Sequence, residues 1–293
     1  MADTVAARVD DAIARLRVAG VASPEADVWS IVAWVTGLSR GQAQAKALVD
    51  PELLDPSQIS AFDQAVSRRQ HREPLWHITG RAPFLEIEVD VGPGVFIPRP
   101  ETELLAHQAI AEAEAMVPSA EMVHVVDLCA GSGAIGLAIG HRVAHTAVTA
   151  IEASDDAAGY LERNVERILP DRGHVIIGDI AVATQSIPDG TVDLVVANPP
   201  YLIEGVDPLD VETAQGDPAD ALWADDGGMA MIVRVVEVAQ RLLRPGGVVL
   251  IEHGVTHGGP TCEALSSAGF RQTATENDLL GRPRFSRGVA GSR

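Results

Sequence analysis

Residues 123–136 carry the strongest fold signal in the chain and read Val-His-Val-Val-Asp-Leu-Cys-Ala-Gly-Ser-Gly-Ala-Ile-Gly. The first six residues are mostly apolar and β-branched, as in a strand buried on both faces. The glycines that follow permit a close approach of the backbone to a ligand, and the helix expected after them would offer free N–H groups. This order of elements predicts an α/β fold with a ligand site at the glycine loop.

Strands alternate with helices over the whole stretch from Met122 to Gly254. Further apolar runs lie at 147–151, 174–177, 192–197 and 248–251, and two last strands are expected near 271–275 and 285–289. Such alternation predicts a parallel sheet with right-handed crossovers. Because ligands of open α/β sheets bind beyond the carboxyl ends of the strands, the residues after each run are the candidate site residues.

The residues after the first three runs indicate an adenosine-type ligand. Gly131, Gly133 and Gly136 spell a dinucleotide-binding fingerprint, which is a weak signal alone. Glu152 ends the second run and can accept the hydroxyls of a ribose, which NAD and S-adenosylmethionine share. Asp179 follows the third run, where it could accept from an adenine amino group or cap a turn or helix. The residues alone leave the ligand and the role of Asp179 open.

Asn-Pro-Pro-Tyr follows the fourth run, at residues 198–201. The Asn198 carboxamide oxygen and the Pro199 carbonyl are two neighbouring acceptors, and the prolines stiffen the loop that holds them. Tyr201 adds a flat face for a conjugated group. The arrangement suits a planar NH2 group with a delocalised lone pair. Asn-Pro and Pro-Pro are also common turn dipeptides, but the position after a buried strand and downstream of the glycine loop favours a functional role.

The first quarter of the chain predicts a small helical domain. Helices are expected at 4–18, 24–37, 40–48 and 56–70. A hairpin is expected next, with strands at 84–89 and 95–97 around the turn at 92–94, and a helix from Pro100. This gives a helical domain at 1–75, a hairpin linker at 76–99 and a third region at 100–293. The acidic stretch 202–226 is expected to form a loop over the site.

The composition narrows the classes of partner. A formal net charge of −19 argues against a broad phosphate-binding surface, so a protein or small-molecule substrate is expected rather than nucleic acid. The start lacks a basic segment followed by an apolar core, and no apolar run is long enough to span a bilayer; we expect a cytoplasmic monomer. Cys129 and Cys262 lie in apolar or small-residue settings, which predicts neither a disulfide framework nor a metal site.

Three strings resemble the class I S-adenosylmethionine-dependent methyltransferases, and more narrowly the HemK/PrmC family of peptide chain release factor glutamine N5-methyltransferases. They are Arg-Glu-Pro-Leu-Trp-His-Ile-Thr-Gly at 72–80, Ile-Pro-Arg-Pro-Glu-Thr-Glu at 97–103 and Asn-Pro-Pro-Tyr at 198–201. The first two are peculiar to that family. The third is shared with methyltransferases that act on nucleobase amino groups. The resemblance covers nearly the whole chain.

The resemblance implies a fold and an activity. The fold is a Rossmann-like sheet, mostly parallel with an antiparallel last strand, plus an N-terminal helical domain that recognises the release factor. The activity is methylation of the glutamine amide in the Gly-Gly-Gln motif of class I release factors, with S-adenosylmethionine as donor, S-adenosylhomocysteine as product and no metal.

The resemblance also implies roles for individual residues. The expected donor-binding residues are Asp127, Cys129, Ala130, Gly131, Ser132, Gly133, Glu152, Asp179, Ile180 and Asn198. The expected substrate-binding residues are Asn198, Pro199, Pro200 and Tyr201; of these, Asn198, Pro199 and Tyr201 are expected to be catalytic. Arg99 could also point into the site and is a further candidate for substrate binding, on its position in the chain alone. Two positions depart from the family pattern: Ala130 replaces a Thr or Cys in the glycine loop, and Asp217-Pro218 replaces a Glu-Pro.

Three other functions compete with this interpretation. A nucleic-acid amino-group methyltransferase would use the same Asn-Pro-Pro-Tyr motif, but the acidic charge argues against it. An NAD-linked oxidoreductase would explain the glycine loop and leave residues 198–201 without a role. A non-catalytic adenosine-binding module would not require the intact motif.

Overall fold

The structure is a computed structural model that describes residues 4–117 and 120–292. The chain divides into two compact units. One unit, here called the helical unit, comprises Met1–Gly80 and Leu209–Gly216. The other, here called the sheet unit, comprises Arg81–Pro208 and Asp217–Arg293.

The helical unit begins with four helices that confirm the predicted ones. They are α1 (Val5–Val18), α2 (Pro24–Thr36), α3 (Arg40–Ala47) and α4 (Pro56–Gln70), followed by the short α5 (Leu75–Thr79). The side chains of Thr4, Ser39 and Asp55 cap α1, α3 and α4 by accepting from backbone N–H groups of the first turn. The apolar faces meet around fully buried side chains that include Leu16 and Phe62.

A further helix of this unit, Val211–Gly216, comes from far along the chain. It lies within the stretch that was expected to be an acidic loop over the site. We call Leu209–Gly216 the anchor segment.

The sheet unit is built on a seven-stranded sheet. Its strands are β3 (Val123–Leu128), β4 (Thr146–Glu152), β5 (Gly173–Ile177), β6 (Val192–Ala197), β7 (Leu243–Glu252), β8 (Phe270–Asn277) and β9 (Pro283–Ala290). Their order in the sheet is β5-β4-β3-β6-β7-β9-β8. Neighbours among the first five strands of this order are parallel, whereas β9 runs antiparallel to both β7 and β8. The predicted Rossmann-like sheet with an antiparallel last strand is therefore confirmed.

Helices accompany this sheet in the alternating pattern that the sequence predicts. They are α6 (Thr102–Met116), α7 (Ala134–Arg142), α8 (Asp155–Ile168), α9 (Ile180–Ala183), α11 (Ala230–Leu242) and α12 (Gly258–Ser267), with α10 being the helix Val211–Gly216. All six residues of β6 are buried, which explains why that strand is an uninterrupted apolar run apart from Asp193.

The hairpin of the linker lies earlier than predicted. Its strands are β1 (Arg81–Phe84) and β2 (Ile87–Asp90), and Phe84 pairs with Ile87 across a two-residue turn. Leu85 has φ 50°, so the predicted strand 84–89 is interrupted by the turn itself. The apolar-to-polar order of Leu85 and Glu86 mimics strand alternation and hides this turn. Residues 95–97 are not a strand, although Val95 and Ile97 are buried.

The carboxyl ends of four central strands are in register. Leu128 of β3 pairs with Ile151 of β4 and with Ala197 of β6, and Ala197 pairs with Ile251 of β7. The next residue of each strand therefore reaches the same edge of the sheet; these residues are Cys129, Glu152, Asn198 and Glu252. Because the strand order reverses direction at β3, the crevice between β3 and β6 is the expected ligand site.

Among the helices that the structure describes, none has the length and apolar character needed to cross a membrane.

Leu194→Ala should destabilise the sheet unit by about 2–5 kcal/mol, because Leu194 is fully buried in the central strand β6 and its loss leaves a cavity. Urea unfolding followed by circular dichroism measures this. Val182→Ala, at an exposed position of α9 in the same unit, is the matched control and should stay within about 0.5 kcal/mol of wild type. Equal effects of the two substitutions would contradict the assigned core.

Candidate active site

The glycine loop after β3 has an unusual backbone. Cys129, Gly131 and Gly133 have φ values of 59°, 58° and 83°, all in the left-handed region. Glycine adopts this conformation freely, whereas Cys129 adopts it at a cost in free energy. The Gly133 backbone also packs against α8, since an added Cβ would lie 2.6 Å from Leu161 Cδ1. The turn from β3 into α7 is thus fixed by both backbone conformation and packing.

Asp127 holds the start of α7 to the end of β3. Its Oδ2 accepts a hydrogen bond from the Gly136 N–H at 2.8 Å, and the side chain is almost completely buried. Burial raises the pKa of Asp127 to about 7, although the Gly136 bond opposes the shift. The other oxygen, Oδ1, is buried without a hydrogen-bond partner among the described residues. This oxygen lies beside the glycine loop.

Glu152, the last residue of β4, lies against the glycine loop. One carboxylate oxygen accepts from the Gly131 N–H at 2.7 Å and the other from the Ser154 N–H at 2.8 Å. A carboxylate oxygen has more than one lone pair, so both oxygens can still accept from a ligand hydroxyl.

Asp179 follows β5 and caps α9. Its Oδ1 accepts from the Ala181 N–H at 2.9 Å, and Arg234 Nη2 lies 2.7 Å from each carboxylate oxygen. Partial burial acts to raise the pKa of Asp179, but these hydrogen bonds outweigh it and the pKa is lowered. Of the two roles left open for Asp179, the structure displays the helix cap; contact with adenine stays a prediction, as it does for the neighbouring Ile180.

The two cysteines are free thiols. Burial, together with the negative charge of Glu152, raises the pKa of the Cys129 thiol well above its usual range, so this thiol is neutral. Across residues 4–117 and 120–292, no cluster of three or more His, Cys, Asp or Glu side chains is arranged to hold a metal ion.

Asn198 projects from the end of β6 beside the glycine loop. Its Nδ2 donates to Thr102 Oγ1 over 3.5 Å, a long hydrogen bond, and the side chain is half-buried. With Nδ2 turned to Thr102, the Oδ1 atom points away from Thr102 and is available as an acceptor. Pro199 is buried and Pro200 is half-buried, so the loop after Asn198 is held by packing as well as by its rings.

Tyr201 and Glu252 meet at the same edge of the sheet. The Tyr201 hydroxyl donates to Glu252 Oε1 at 3.2 Å, and Glu252 is only 2% exposed. Burial raises the pKa of Glu252 to about 7, against the opposing effects of the Thr102 hydroxyl, Arg284 and Tyr201. Burial and the neighbouring Glu252 also raise the pKa of the Tyr201 phenol, which is therefore protonated and a hydrogen-bond donor.

Arg99, a predicted substrate-binding residue, is held by Asp217. The two side chains form an ion pair, Asp217 also accepts from the Ile97 N–H at 3.0 Å, and the guanidinium lies 5.0 Å from the centre of the Phe96 ring. Asp217 is the residue that replaces the family's usual Glu before Pro218. The acid thus fixes the 96–99 stretch, and substrate contact by Arg99 stays a prediction.

Thr102, Glu252 and the partner of Arg99 were not predicted from the sequence. Glu252 had a detectable signal, because an acid directly after the buried run 248–251 occupies the same position as Asn198 after β6. Thr102 had only its place in the string 97–103. Nothing in the local pattern pairs Arg99 with Asp217, which lies far along the chain.

The sheet order and the glycine loop define a class of protein, the Rossmann-like methyltransferases. The family described as "Methyltransferase small domain" matches residues 111–244. The solved structure of the hMettl16 catalytic domain, in complex with MAT2A 3′UTR hairpin 6, has a TM-score of 0.53 at 15% identity, covering 82% of this chain and 83% of that chain. At this identity the likeness concerns the fold alone.

Sequence comparison narrows the class to a family. The family described as "PrmC N-terminal domain" matches residues 9–80. A release factor glutamine methyltransferase from Streptomyces coelicolor is 40% identical over 95% of both chains. A 4-amino-L-phenylalanine/4-methylamino-L-phenylalanine methyltransferase from Streptomyces pristinaespiralis is 38% identical over 86% of this chain and 84% of its own. The chain belongs to the release factor glutamine methyltransferase family.

Asp127→Asn should flatten the pH dependence of stability. Because burial raises the folded-state pKa from 3.8 to about 7, the folded chain holds a proton between these pH values that the unfolded chain releases. The free energy of unfolding of wild type therefore falls as pH rises through this range. The asparagine keeps an oxygen acceptor for the Gly136 N–H and carries no charge to bury.

Urea unfolding at several pH values between about 4 and about 7 measures this slope. Asp171→Asn, at an exposed position of the same unit, is the matched control and should keep the wild-type slope. Identical slopes for Asp127→Asn and wild type would show that Asp127 is not a buried titrating group.

Proposed function

We propose that this protein methylates the side-chain amide nitrogen, N5, of the glutamine in the Gly-Gly-Gln motif of class I peptide chain release factors, with S-adenosylmethionine as the methyl donor. One observation carries the proposal. The motif Asn198–Tyr201 leaves β6 directly beside the glycine loop of the paired strand β3, in a chain that belongs to the release factor glutamine methyltransferase family.

The residues at the carboxyl edge fit the donor. S-adenosylmethionine supplies a methyl group on a positively charged sulfur, and negatively charged or acceptor groups suit its ribose and amino groups. Asp127 offers a buried oxygen without a partner, and Glu152 brings a carboxylate to the loop. We assign Cys129–Gly133 to the methionine part, Glu152 to the ribose, and Asp179 with Ile180 to the adenine.

Asn198 and Pro199 would act on the glutamine amide. An amide nitrogen is a poor nucleophile, because its lone pair is shared with the carbonyl group. Two acceptors, Asn198 Oδ1 and the Pro199 carbonyl, would hold the two N–H groups and favour positive charge on the nitrogen as it gains a methyl group. Pro200 and the face of Tyr201 would hold the rest of the side chain. The methylated nitrogen then loses a proton readily, because an N-protonated amide is a strong acid.

Charge supports a protein acceptor over a nucleic acid. The whole chain carries a formal net charge of −19, and the stretch 202–226 contains six Asp and two Glu residues and no Lys or Arg. The phosphate backbone of a nucleic acid would be repelled by such an acidic stretch. The relative from Streptomyces pristinaespiralis makes a free aromatic amine the more relevant second acceptor to test.

Purified release factor incubated with wild-type protein and S-adenosylmethionine should gain one methyl group on the Gly-Gly-Gln glutamine, as seen by intact mass and peptide mapping. Asn198→Ala should lower turnover by about 10- to 100-fold and leave donor binding as in wild type, because it removes a hydrogen-bond acceptor that acts most strongly in the transition state. Duplex DNA and 4-amino-L-phenylalanine serve as parallel acceptors.

Methylation of either parallel acceptor, with none of the factor, would overturn the proposed substrate. Wild-type turnover by Asn198→Ala would overturn the assigned role of the motif even if the factor is methylated.

We also propose that the helical unit recognises the release factor. Supporting this, the helical unit includes the anchor segment, which follows the catalytic motif in the chain. Glu212 Oε1 accepts from Arg69 Nη2 at 2.8 Å and from Arg72 Nε at 2.8 Å, and its Oε2 accepts from Arg72 Nη2 at 2.6 Å. Gly216 packs so closely on Pro74 that a Cβ would overlap the proline ring.

Two features make this a firm attachment. Arg69 is buried, and its Nε also donates to Asp27 at 2.8 Å. Asp27 therefore helps to hold the guanidinium in the orientation in which it bonds Glu212. The hydrogen bonds from both arginines outweigh partial burial and lower the pKa of Glu212 to about 2. The anchor segment thus ties the chain that leaves the catalytic motif into the helical unit.

Glu212→Gln should lower kcat/KM for the intact release factor about tenfold, and change the rate with a short Gly-Gly-Gln peptide by less than about twofold, because only the whole factor uses the helical unit. Glu204→Gln, an exposed acid in the same stretch, is the control and should behave as wild type. An equal loss with both substrates would refute recognition by this route.

The cytoplasmic location and the monomeric state stay predictions of the sequence.

A further inference from the structure

The exposed large apolar side chains of the sheet unit share one location. Over the described residues of this unit they are Ile177, Val182, Val206, Val233, Val255, Leu279 and Leu280. Each is the last residue of a strand, or lies in the segment or the first helical turn that follows a strand. The strands concerned are β5, β6, β7 and β8. Exposed apolar side chains that gather at one place mark an interaction surface, whereas single scattered ones do not.

The turn between β8 and β9 reaches the edge that carries the candidate active site. Because β9 is antiparallel to β7, its first residues lie beside the last residues of β7. Glu252 pairs with Phe285, and the His253 N–H donates to the Arg284 carbonyl at 2.9 Å. β8 is antiparallel to β9 and therefore ends at the same edge. Residues 278–282, here called the leucine tip, project beyond the level of Glu252.

Leu279 and Leu280 are the most exposed of these apolar side chains, at 90% and 76%. Turns are usually made of Gly, Pro, Asn, Asp or Ser, so two neighbouring leucines are unusual there. Apolar surface in water is unfavourable, and leucines this exposed add little to the core of the sheet unit. Their apolar surface is available to a partner.

The leucine tip is held in one conformation by Asp278. This buried carboxylate accepts at Oδ1 from the N–H groups of Leu280 and Arg282, both at 2.9 Å, and at Oδ2 from Arg282 Nε at 2.7 Å. The Asp278 N–H donates to the Arg282 carbonyl at 2.8 Å, and Gly281 has φ 77°, which glycine adopts freely. A turn that is already ordered loses little conformational entropy when a partner covers it.

An ion pair joins the leucine tip to the string 97–103. Arg282 Nη2 lies 3.7 Å from Glu101 Oε1. Glu101 directly precedes Thr102, whose Oγ1 accepts from Asn198 Nδ2. Because the ion pair is exposed to water, it adds little stability. It shows that the leucine tip lies beside the segment that contacts the catalytic motif.

The order of the strands separates the leucine tip from the donor. β6 carries the catalytic motif and has β3, β4 and β5 on one side. The residues assigned to the donor follow those three strands. β7, β9 and β8 lie on the other side of β6. This second side of the edge is therefore open to those parts of the acceptor that lie outside the catalytic motif.

We infer that the leucine tip is a docking element for the protein substrate, in which Leu279 and Leu280 enter an apolar patch of a class I release factor beside its Gly-Gly-Gln motif. The inference rests on the proposed function, since that function names the factor as the acceptor. It is separate from recognition by the helical unit, because the leucine tip belongs to the sheet unit. A nucleic acid does not fit this surface, because leucines offer its phosphates no positive charge.

The test compares two double variants. Leu279→Ser with Leu280→Ser removes the apolar surface, and Leu279→Met with Leu280→Met keeps it. Methylation kinetics give kcat and KM for the intact factor, interferometry with S-adenosylhomocysteine present gives factor affinity, and calorimetry gives donor affinity. Val182→Ser is the control, because Val182 is exposed at the same edge on the donor side of β6.

The serine pair should raise KM for the factor and weaken factor binding about 10- to 100-fold, because the lost apolar area no longer stabilises the complex. Its kcat, donor affinity and urea midpoint should match wild type, since the leucines are exposed in the free protein and touch no reacting group. The methionine pair and Val182→Ser should stay within about twofold of wild type in every measurement.

Wild-type KM and factor affinity in the serine pair would refute docking by the leucine tip. A loss of the same size in the methionine pair or in Val182→Ser would refute it too, as would a fall in kcat with KM unchanged. If wild-type protein forms a dimer that the serine pair does not form, with factor binding unchanged, the leucine tip contacts a second copy of this chain instead.

Failure of the proposed function gives a different result. The factor would then bind wild-type protein more tightly than the serine pair and still receive no methyl group. Absence of factor binding to wild-type protein would overturn both the docking element and the proposed acceptor.

Discussion

The parallel pairing of β3 with β4 on one side and β6 on the other is the constraint on which the site depends. Because Leu128 pairs with both Ile151 and Ala197, the chain turns out of three strands at one edge of the sheet. A shift of one residue in either pairing would move every side chain of that strand to the opposite face. The glycine loop, Glu152 and the Asn198 amide are separate in sequence, and only this register makes them neighbours. Burial of both faces of β6 enforces the register, since a slipped strand would expose apolar surface or bury Asn198.

The parts of the fold and the site that can be predicted from the sequence are those with a local signal. Strands buried on both faces leave continuous apolar runs, and the residue after each run lies at the ligand-binding edge, so the glycine loop, Glu152 and Asn198 could be placed without a structure. The hairpin was misplaced because Leu85 and Glu86 preserve the alternation of a strand while forming a turn. The side-chain pairs of the site could not be predicted from the sequence, for a different reason. Which arginine meets which carboxylate depends on how distant segments fold together, and no spacing along the chain encodes it.

Two carboxyl groups near the site are buried at a cost in folding free energy. Asp127 lies next to the last residue of β3 and Glu252 is the last residue of β7, the two strands that flank β6. Both side chains are almost completely buried, and burial raises the pKa of each to about 7. Apolar side chains of similar size would make the sheet more stable, because transfer of a carboxylate from water is costly. The acids remain at the carboxyl edge, and each bonds a part of the site: one holds the helix after the glycine loop, and the other holds the phenol of Tyr201. Stability is thus reduced at the place where orientation matters most.

The anchor segment also affects the order in which the chain can fold during synthesis. Helices α1 to α5 are made first, and domains generally fold as they emerge from the ribosome. The carboxylate that pairs with the buried Arg69 belongs to Glu212, which is made only after β3 to β6 and the catalytic motif. The helical unit therefore stays incomplete on the ribosome until most of the sheet unit has been made. During that interval the buried Arg69 guanidinium lacks one of its carboxylate partners, which destabilises the helical unit. We therefore expect proteases and chaperones to act on the nascent helical unit until the anchor segment has been synthesised.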